Sequence, residues 1–221
     1  MSSDDRRSHR RYRVENVEGS LLSAPDVVIR NISFDGAQIQ TTKRLTIGRT
    51  YILKVRAGNM HMTLRGVTAW CMLRGSQVLG DGQQVPIYTA GLHFEEDRQD
   101  PKATLLRQFL DQTRSHIREQ RIGGIRFRVT GRHECRVEAG CHVRQLSRGG
   151  LEVVADEPFD PDSEIEIELE LDHQTIRAHC RVVSCTPRNG EETYRMGLEF
   201  KGFTEDGEEV LTRFLSDLER A

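Results

Sequence analysis

No apolar run in this chain approaches the eighteen or so residues of a membrane span. The polar, arginine-rich start has no apolar core of its own and reads as a chain without a secretory leader. Cysteines number five, an odd count without a C-x-x-C pair, so reduced thiols in the cytoplasm are the simpler expectation. A zinc site is disfavoured on the same grounds. Cys180 and Cys185 are five apart and face opposite sides of a regular strand, while Cys135 and Cys141 would sit about 20 Å apart on a continuous one. His133, His142 and His179 add no ligand spacing to these. No Cys–His pair has a third orienting group beside it, so nucleophilic catalysis lacks its parts, and the expectation is no metal, no cofactor and no enzyme. Aromatics make up 6% of the chain with a single tryptophan, Trp70, which is expected in the core. Paired stacking platforms for nucleic acid are missing.

What the chain has in quantity is charge, unevenly spread. Residues 1–120 hold 18 Lys+Arg against 13 Asp+Glu, and residues 121–221 hold 14 against 21. The first part suits an anionic partner and the second does not. An internal repeat underlies this division. Ser33 and Gly36 recur 114 positions later as Ser147 and Gly150, and Tyr51, Leu53 and Val55 as Ile165, Ile167 and Leu169. Cys71 becomes Cys185 at the same offset. After a shorter loop Gly91-Leu92-His93-Phe94 corresponds to Gly197-Leu198-Glu199-Phe200, and Leu105, Leu106, Phe109 and Leu110 to Val210, Leu211, Phe214 and Leu215. The chain is therefore read as a duplicated domain, divided into 1–122 and 123–221.

Each copy alternates short β-branched segments with turn signals such as Gly48, Ala57-Gly58-Asn59 and Gly80-Asp81-Gly82, which suits a small barrel. Asp100-Pro101 opens a helix whose positions 105, 106, 109, 110, 113 and 117 share one face, with Gly123-Gly124 expected to end it. A second helix is expected from about 204 to 219. Glu164 to Asp172 alternates strictly, as a half-buried strand with a solvated acidic face does; the sharper alternative is a docking stripe for a basic partner.

Two stretches carry chemistry. The arm Arg6-Arg7-Ser8-His9-Arg10-Arg11-Tyr12-Arg13 supplies guanidinium forks, which bind phosphate bidentately and stack on purine faces. The turn Asn31-Ile32-Ser33-Phe34-Asp35-Gly36 lies between Val27-Val28-Ile29 and Ala37-Gln38-Ile39. On an extended backbone Asn31 and Ser33 point to one face, and Gly36 allows a close approach that a Cβ would obstruct. Asn and Ser are also ordinary turn formers.

Together, Arg7-x-x-x-Arg11 and Asn31-x-Ser33-x-x-Gly36 resemble the PilZ domain, whose signature is R-x-x-x-R in an N-terminal loop followed by [D/N]-x-S-x-x-G on a barrel strand. The resemblance implies a mainly β protein of two PilZ-like small β-barrels, each followed by a C-terminal α-helix. It implies a bacterial receptor for the second messenger cyclic di-GMP (c-di-GMP). Arg7, Arg11, Asn31, Ser33 and Gly36 would bind the nucleotide, with Arg6, Arg10 and Arg13 secondary. The second copy departs from the pattern, with Ile122 where Arg7 should recur and Gln145 where Asn31 should recur. It is therefore expected to be degenerate. The alternatives are a protein-interaction module that has lost the ligand, and a nucleic-acid binder using the arm. A downstream protein partner and a homodimer through the closing helices are further expectations.

Overall fold

The structure is a computed structural model and describes residues 11–15, 17–24, 27–57, 59–78, 80, 82–95, 101–113, 118–121, 124–128 and 134–220. In chain order its elements are β1 (Tyr12–Arg13), β2 (Glu18–Ala24), β3 (Val28–Ile32), β4 (Gly36–Thr41), β5 (Thr50–Ala57), β6 (Met60–Val78), β7 (Gln84–Phe94) and α1 (Pro101–Thr113). There follow β8 (Arg118–Arg121), β9 (Gly124–Arg128), β10 (Glu134–Ser147), β11 (Gly150–Ala155), β12 (Glu164–Leu171), β13 (Gln174–Pro187), β14 (Tyr194–Phe203) and α2 (Gly207–Arg220). The fold is mainly β, as the turn spacing predicts. No helix among the described residues is long and apolar enough to cross a membrane.

Two compact units divide the chain. One comprises residues 1–22 with 139–221, the other residues 23–138. In the first, neighbouring strands run β10, β11, β14, β13, β12, β2 and back to β10, a closed six-stranded barrel. Its wall closes because β12 pairs with β2 on one side, Leu169 opposite Gly19 and Ile167 opposite Leu21, and with β13 on the other. Alternation fills the inside: Ile165, Ile167, Leu169 and Leu171 of β12 point inward with Val153, Val182 and Met196. Outward, Glu164, Glu166 and Glu168 stand opposite Arg181, His179 and Arg177 of β13. Arg177 Nε donates to Glu168 Oε2 across 2.9 Å. The acidic stripe is thus answered within its own sheet, and a basic partner is not needed to explain it. α2 buries Val210, Leu211 and Leu215 against this core.

In the second unit β5, β6, β7, β4 and β3 follow one another antiparallel. β10 also neighbours β5, and the Val27 N–H donates to the Cys135 carbonyl at 2.9 Å. Lys54 Nζ lies 3.0 Å from Glu138 Oε2 and Arg136 Nε 2.8 Å from Glu138 Oε1, so the buried Glu138 carboxylate is paired. α1 buries Leu106, Phe109 and Leu110 as its spacing predicts, while Leu105 is exposed. The described part of the helix ends at Thr113, and the expected end near Gly123 is not reached, since 118–121 are a strand. Residues 118–121 instead pair with β9, Arg118 opposite Phe127 and Arg121 opposite Gly124. Arg118-Glu119-Gln120-Arg121 offers no apolar residue to a helix face, whereas Ile125 and Phe127 alternate as a strand does. Trp70 is half-buried with its indole across Gly91, where a Cβ would meet it.

Candidate functional site

The β3–β4 turn is built from its own side chains. Ser33 lies in the turn just past β3, and its backbone N–H donates to the Gly36 carbonyl at 2.8 Å. Its hydroxyl donates to that same carbonyl at 3.2 Å and accepts the Asp35 N–H at 3.3 Å. Ser33 is 7% exposed, and its hydroxyl latches the turn. Asn31 is 6% exposed and donates from Nδ2 to Gln38 Oε1 at 2.6 Å. Gly36 is required by packing, since a Cβ there would lie 2.2 Å from the Leu92 carbonyl oxygen. At the tip Phe34 is exposed, with the Arg107 guanidinium of α1 5.9 Å from its ring centre.

The second turn repeats this construction. Ser147 Oγ donates to the Gly150 carbonyl at 2.9 Å, and a Cβ on Gly150 would lie 2.1 Å from the Leu198 carbonyl oxygen. Phe94 N–H donates to Asp35 O at 3.0 Å, and at the equivalent position Phe200 N–H donates to Gly149 O at 3.1 Å. Even the irregularity recurs: the register shifts between Ile29 and Asn31 in one copy and between Val143 and Gln145 in the other. A degenerate copy by side chain is therefore an intact copy by backbone.

Charge distinguishes the two turns. Arg148 stands where the first has Phe34, and Gly149 where it has Asp35. Arg144 and Arg148 are exposed. The acidic neighbours have partners. Glu152, opposite Gln145, lies 3.8 Å from Arg195 Nε. Glu199, opposite Gly150, lies 2.9 Å from Lys201 and 2.7 Å from Arg181, and hydrogen bonds from these two hold its carboxyl below the usual range.

Of the arm, Arg6, Arg7 and Arg10 lie outside the described residues. Arg11 and Arg13 are exposed, and among the described residues neither has an ion-pair partner. Strand β1 pairs with β10, Tyr12 opposite Leu146 and Arg13 opposite Gln145. The unit that holds Asn31, Ser33 and Gly36 is not the one that holds Arg11 and Arg13. Beside the first turn lies β9 instead, Arg128 opposite Asn31 and Phe127 opposite Ile32. Since Arg11-Tyr12-Arg13 and Arg126-Phe127-Arg128 are equivalent in the repeat, each copy's arm strand is laid on the other copy's turn. The repeat alignment signalled that equivalence; it gave no hint of the exchange.

Among the described residues no group of three or more His, Cys, Asp or Glu is placed to hold a metal. The thiols of Cys135, Cys141 and Cys180 are each pushed up to about 12 by burial, unlike a reactive cysteine.

The PilZ domain family model matches residues 112–217, on the copy with Gln145 in its turn. Solved structures similar to the chain include the Bacillus subtilis inhibitor of motility MotI (DgrA), at 11% identity over 80% of this chain and 98% of that one, TM-score 0.31. Another is K. pneumonia MrkH in its c-di-GMP complex, at 14% identity over 93% and 88%, TM-score 0.32. A third is Borreliella burgdorferi PlzA in complex with c-di-GMP, at 13% identity over 93% of both chains, TM-score 0.24. No curated protein matches the chain.

Proposed function

The PilZ domain family model matches residues 112–217 of this chain, and from that premise we propose that the protein is a cytoplasmic, non-enzymatic receptor for c-di-GMP. The observation that carries this reading is an arginine-bearing strand laid beside a Ser-x-x-Gly turn, Arg13 opposite Gln145 two residues before Ser147. A cyclic dinucleotide offers two phosphates and two purine faces, which planar guanidinium forks engage by paired hydrogen bonds and by stacking. The sequence signature assigns this work to Arg7 and Arg11 of the arm, with Asn31, Ser33 and Gly36 forming a turn of the matching kind. Arg6, Arg10 and Arg13 add to the charge of the arm. Ligand held by the arm changes the surface offered to a downstream protein, without any covalent step.

Calorimetric titration with c-di-GMP, with GMP and cyclic di-AMP as controls, tests the reading. Charge-assisted bonds contribute roughly 1.5–3 kcal/mol each, so Arg7→Ala and Arg11→Ala are each expected to weaken binding about tenfold or more. Unchanged affinity in both variants, or no heat from the parent protein, rejects it.

A further inference from the structure

We propose that the arm-dependent nucleotide site of this chain is composite, with Arg11 and Arg13 of the first repeat serving the turn Gln145–Gly150 of the second. The proposal rests on the c-di-GMP reading above and adds which turn the arm completes. Three observations carry it. Strand β1 is hydrogen-bonded to β10 beside the second turn, Val14 N–H donating to the Arg144 carbonyl at 3.3 Å. Tyr12 packs on the core of the same unit, and its hydroxyl donates to Glu219 Oε1 of α2. An anchored strand therefore leads out of the arm, and it fixes Arg11 and Arg13 near the second turn.

The third observation is local charge. Arg11, Arg13, Arg144 and Arg148 are exposed around this turn, while the nearby carboxylates Glu152 and Glu199 each lie beside a cation. The first turn has Asp35 and Phe34 at the positions of Gly149 and Arg148. For a ligand carrying two phosphates, exchanging a carboxylate for glycine and an aromatic for arginine favours the second turn. Its longer Gln145 keeps the amide of the signature's Asn, one methylene further from the backbone. The PilZ model also matches here. Seen this way, the second turn looks degenerate because its arginines come from the other end of the chain.

The arrangement and the ligand are tested separately. The bond from Val14 to Arg144 makes Arg13 and Gln145 a non-hydrogen-bonded antiparallel pair, with Cα atoms about 4.5 Å apart, within the range of roughly 4.4–6.8 Å that disulfides span. Under mild oxidation R13C/Q145C is expected to form an intramolecular cross-link, identified by mass spectrometry of the joined peptides, and R13C/N31C is expected to form none. A 13–31 link, or a 13–145 link only between two chains, overturns the exchange whatever the ligand does. In the full-length protein Arg148→Ala is expected to weaken c-di-GMP binding about tenfold. Arg30→Ala, at the first-copy equivalent of Arg144, is expected to stay within about twofold of the parent. The reverse ranking places the site on the first turn and overturns the proposal while leaving c-di-GMP recognition standing. A 13–145 link in R13C/Q145C together with no nucleotide binding by the parent protein leaves the strand exchange standing and ends both the c-di-GMP reading and the site proposed from it.

Discussion

Gly36 packs so closely on Leu92 that a Cβ at that position would lie 2.2 Å from the Leu92 carbonyl oxygen. Backbone atoms on both sides leave no side chain to yield. Gly150 stands in the same relation to Leu198, at 2.1 Å. Gly36→Ala and Gly150→Ala should each destabilise by about 2–4 kcal/mol, as forced overpacking does. Gly140→Ala is the control, since nothing lies within 4 Å of its added Cβ, and it should change stability by less than about 0.5 kcal/mol. Urea midpoints at constant m read the difference. Equal midpoints for all three would show that the turns relax easily.

The two serine hydroxyls latch their turns to the carbonyls of Gly36 and Gly150. Ser33→Ala and Ser147→Ala are therefore expected to cost stability, about 1 kcal/mol each, seen as lower denaturation midpoints without ligand. A Ser33→Ala protein of parental stability that loses nucleotide affinity would assign the hydroxyl to the ligand instead.

Local pattern made much of this legible. The strict alternation at 164–171 announced β12, the spacing of 106, 109 and 110 announced the inner face of α1 while Leu105 fell outside it, and the recurrence of Ser and Gly 114 residues apart announced two turns of one construction. Two things were not legible, for different reasons. Gly123-Gly124 reads equally as a helix stop and as part of a strand pairing, and the sequence of 118–121 has no apolar residue for a helix face. The exchange of β1 and β9 is a choice between two non-local pairings, and Arg-Tyr-Arg and Arg-Phe-Arg fit either edge. Nothing in a short segment records which barrel it joins, the same degeneracy that lets identical elements swap between protomers.

Glu138 binds two cations at once, Lys54 at 3.0 Å and Arg136 at 2.8 Å. Either partner alone leaves the buried carboxylate with one charge beside it. Lys54→Met and Arg136→Met should each cost about 1 kcal/mol, and the double variant about 3–5 kcal/mol, the cost of breaking a buried pair. The expected signature in denaturation is non-additivity. Simple addition of the two single effects would mean that the carboxylate is held by other contacts.

Alkaline pH should weaken the fold through its thiols. Burial raises Cys135, Cys141 and Cys180 to about 12 from an ordinary 9.0; at Cys141 the nearby Cys180 and Glu18 add to it. Above pH 9 the unfolded chain releases these protons while the folded one keeps them. The thiols' contribution is complete below pH 9 and is lost as pH climbs towards 12, by about 1.4 kcal/mol per pH unit for each thiol. Urea unfolding at pH 8 and pH 10 should show the decline, and it should shrink in Cys180→Ala. At pH 8 thiol reagents should label Cys71 and Cys185, which are half-buried, and spare the other three. Fast labelling of Cys141 would contradict its burial.

Tyr12 offers a test of strand exchange that needs no ligand. Its backbone faces Leu146, its ring packs on the core of residues 139–221, and its hydroxyl reaches Glu219 near the end of α2. Removing the ring should therefore loosen the second turn and the closing helix. In Tyr12→Ala, amide hydrogen exchange should accelerate across residues 143–151 and 210–220 and stay at parental rates across 28–41, because segments open locally where their packing has been weakened. In the unexchanged arrangement the same substitution strips Ile32 of its neighbour, and faster exchange appears at 28–41 instead. The two patterns are mutually exclusive in space, so one measurement on unliganded protein decides which turn the arm accompanies.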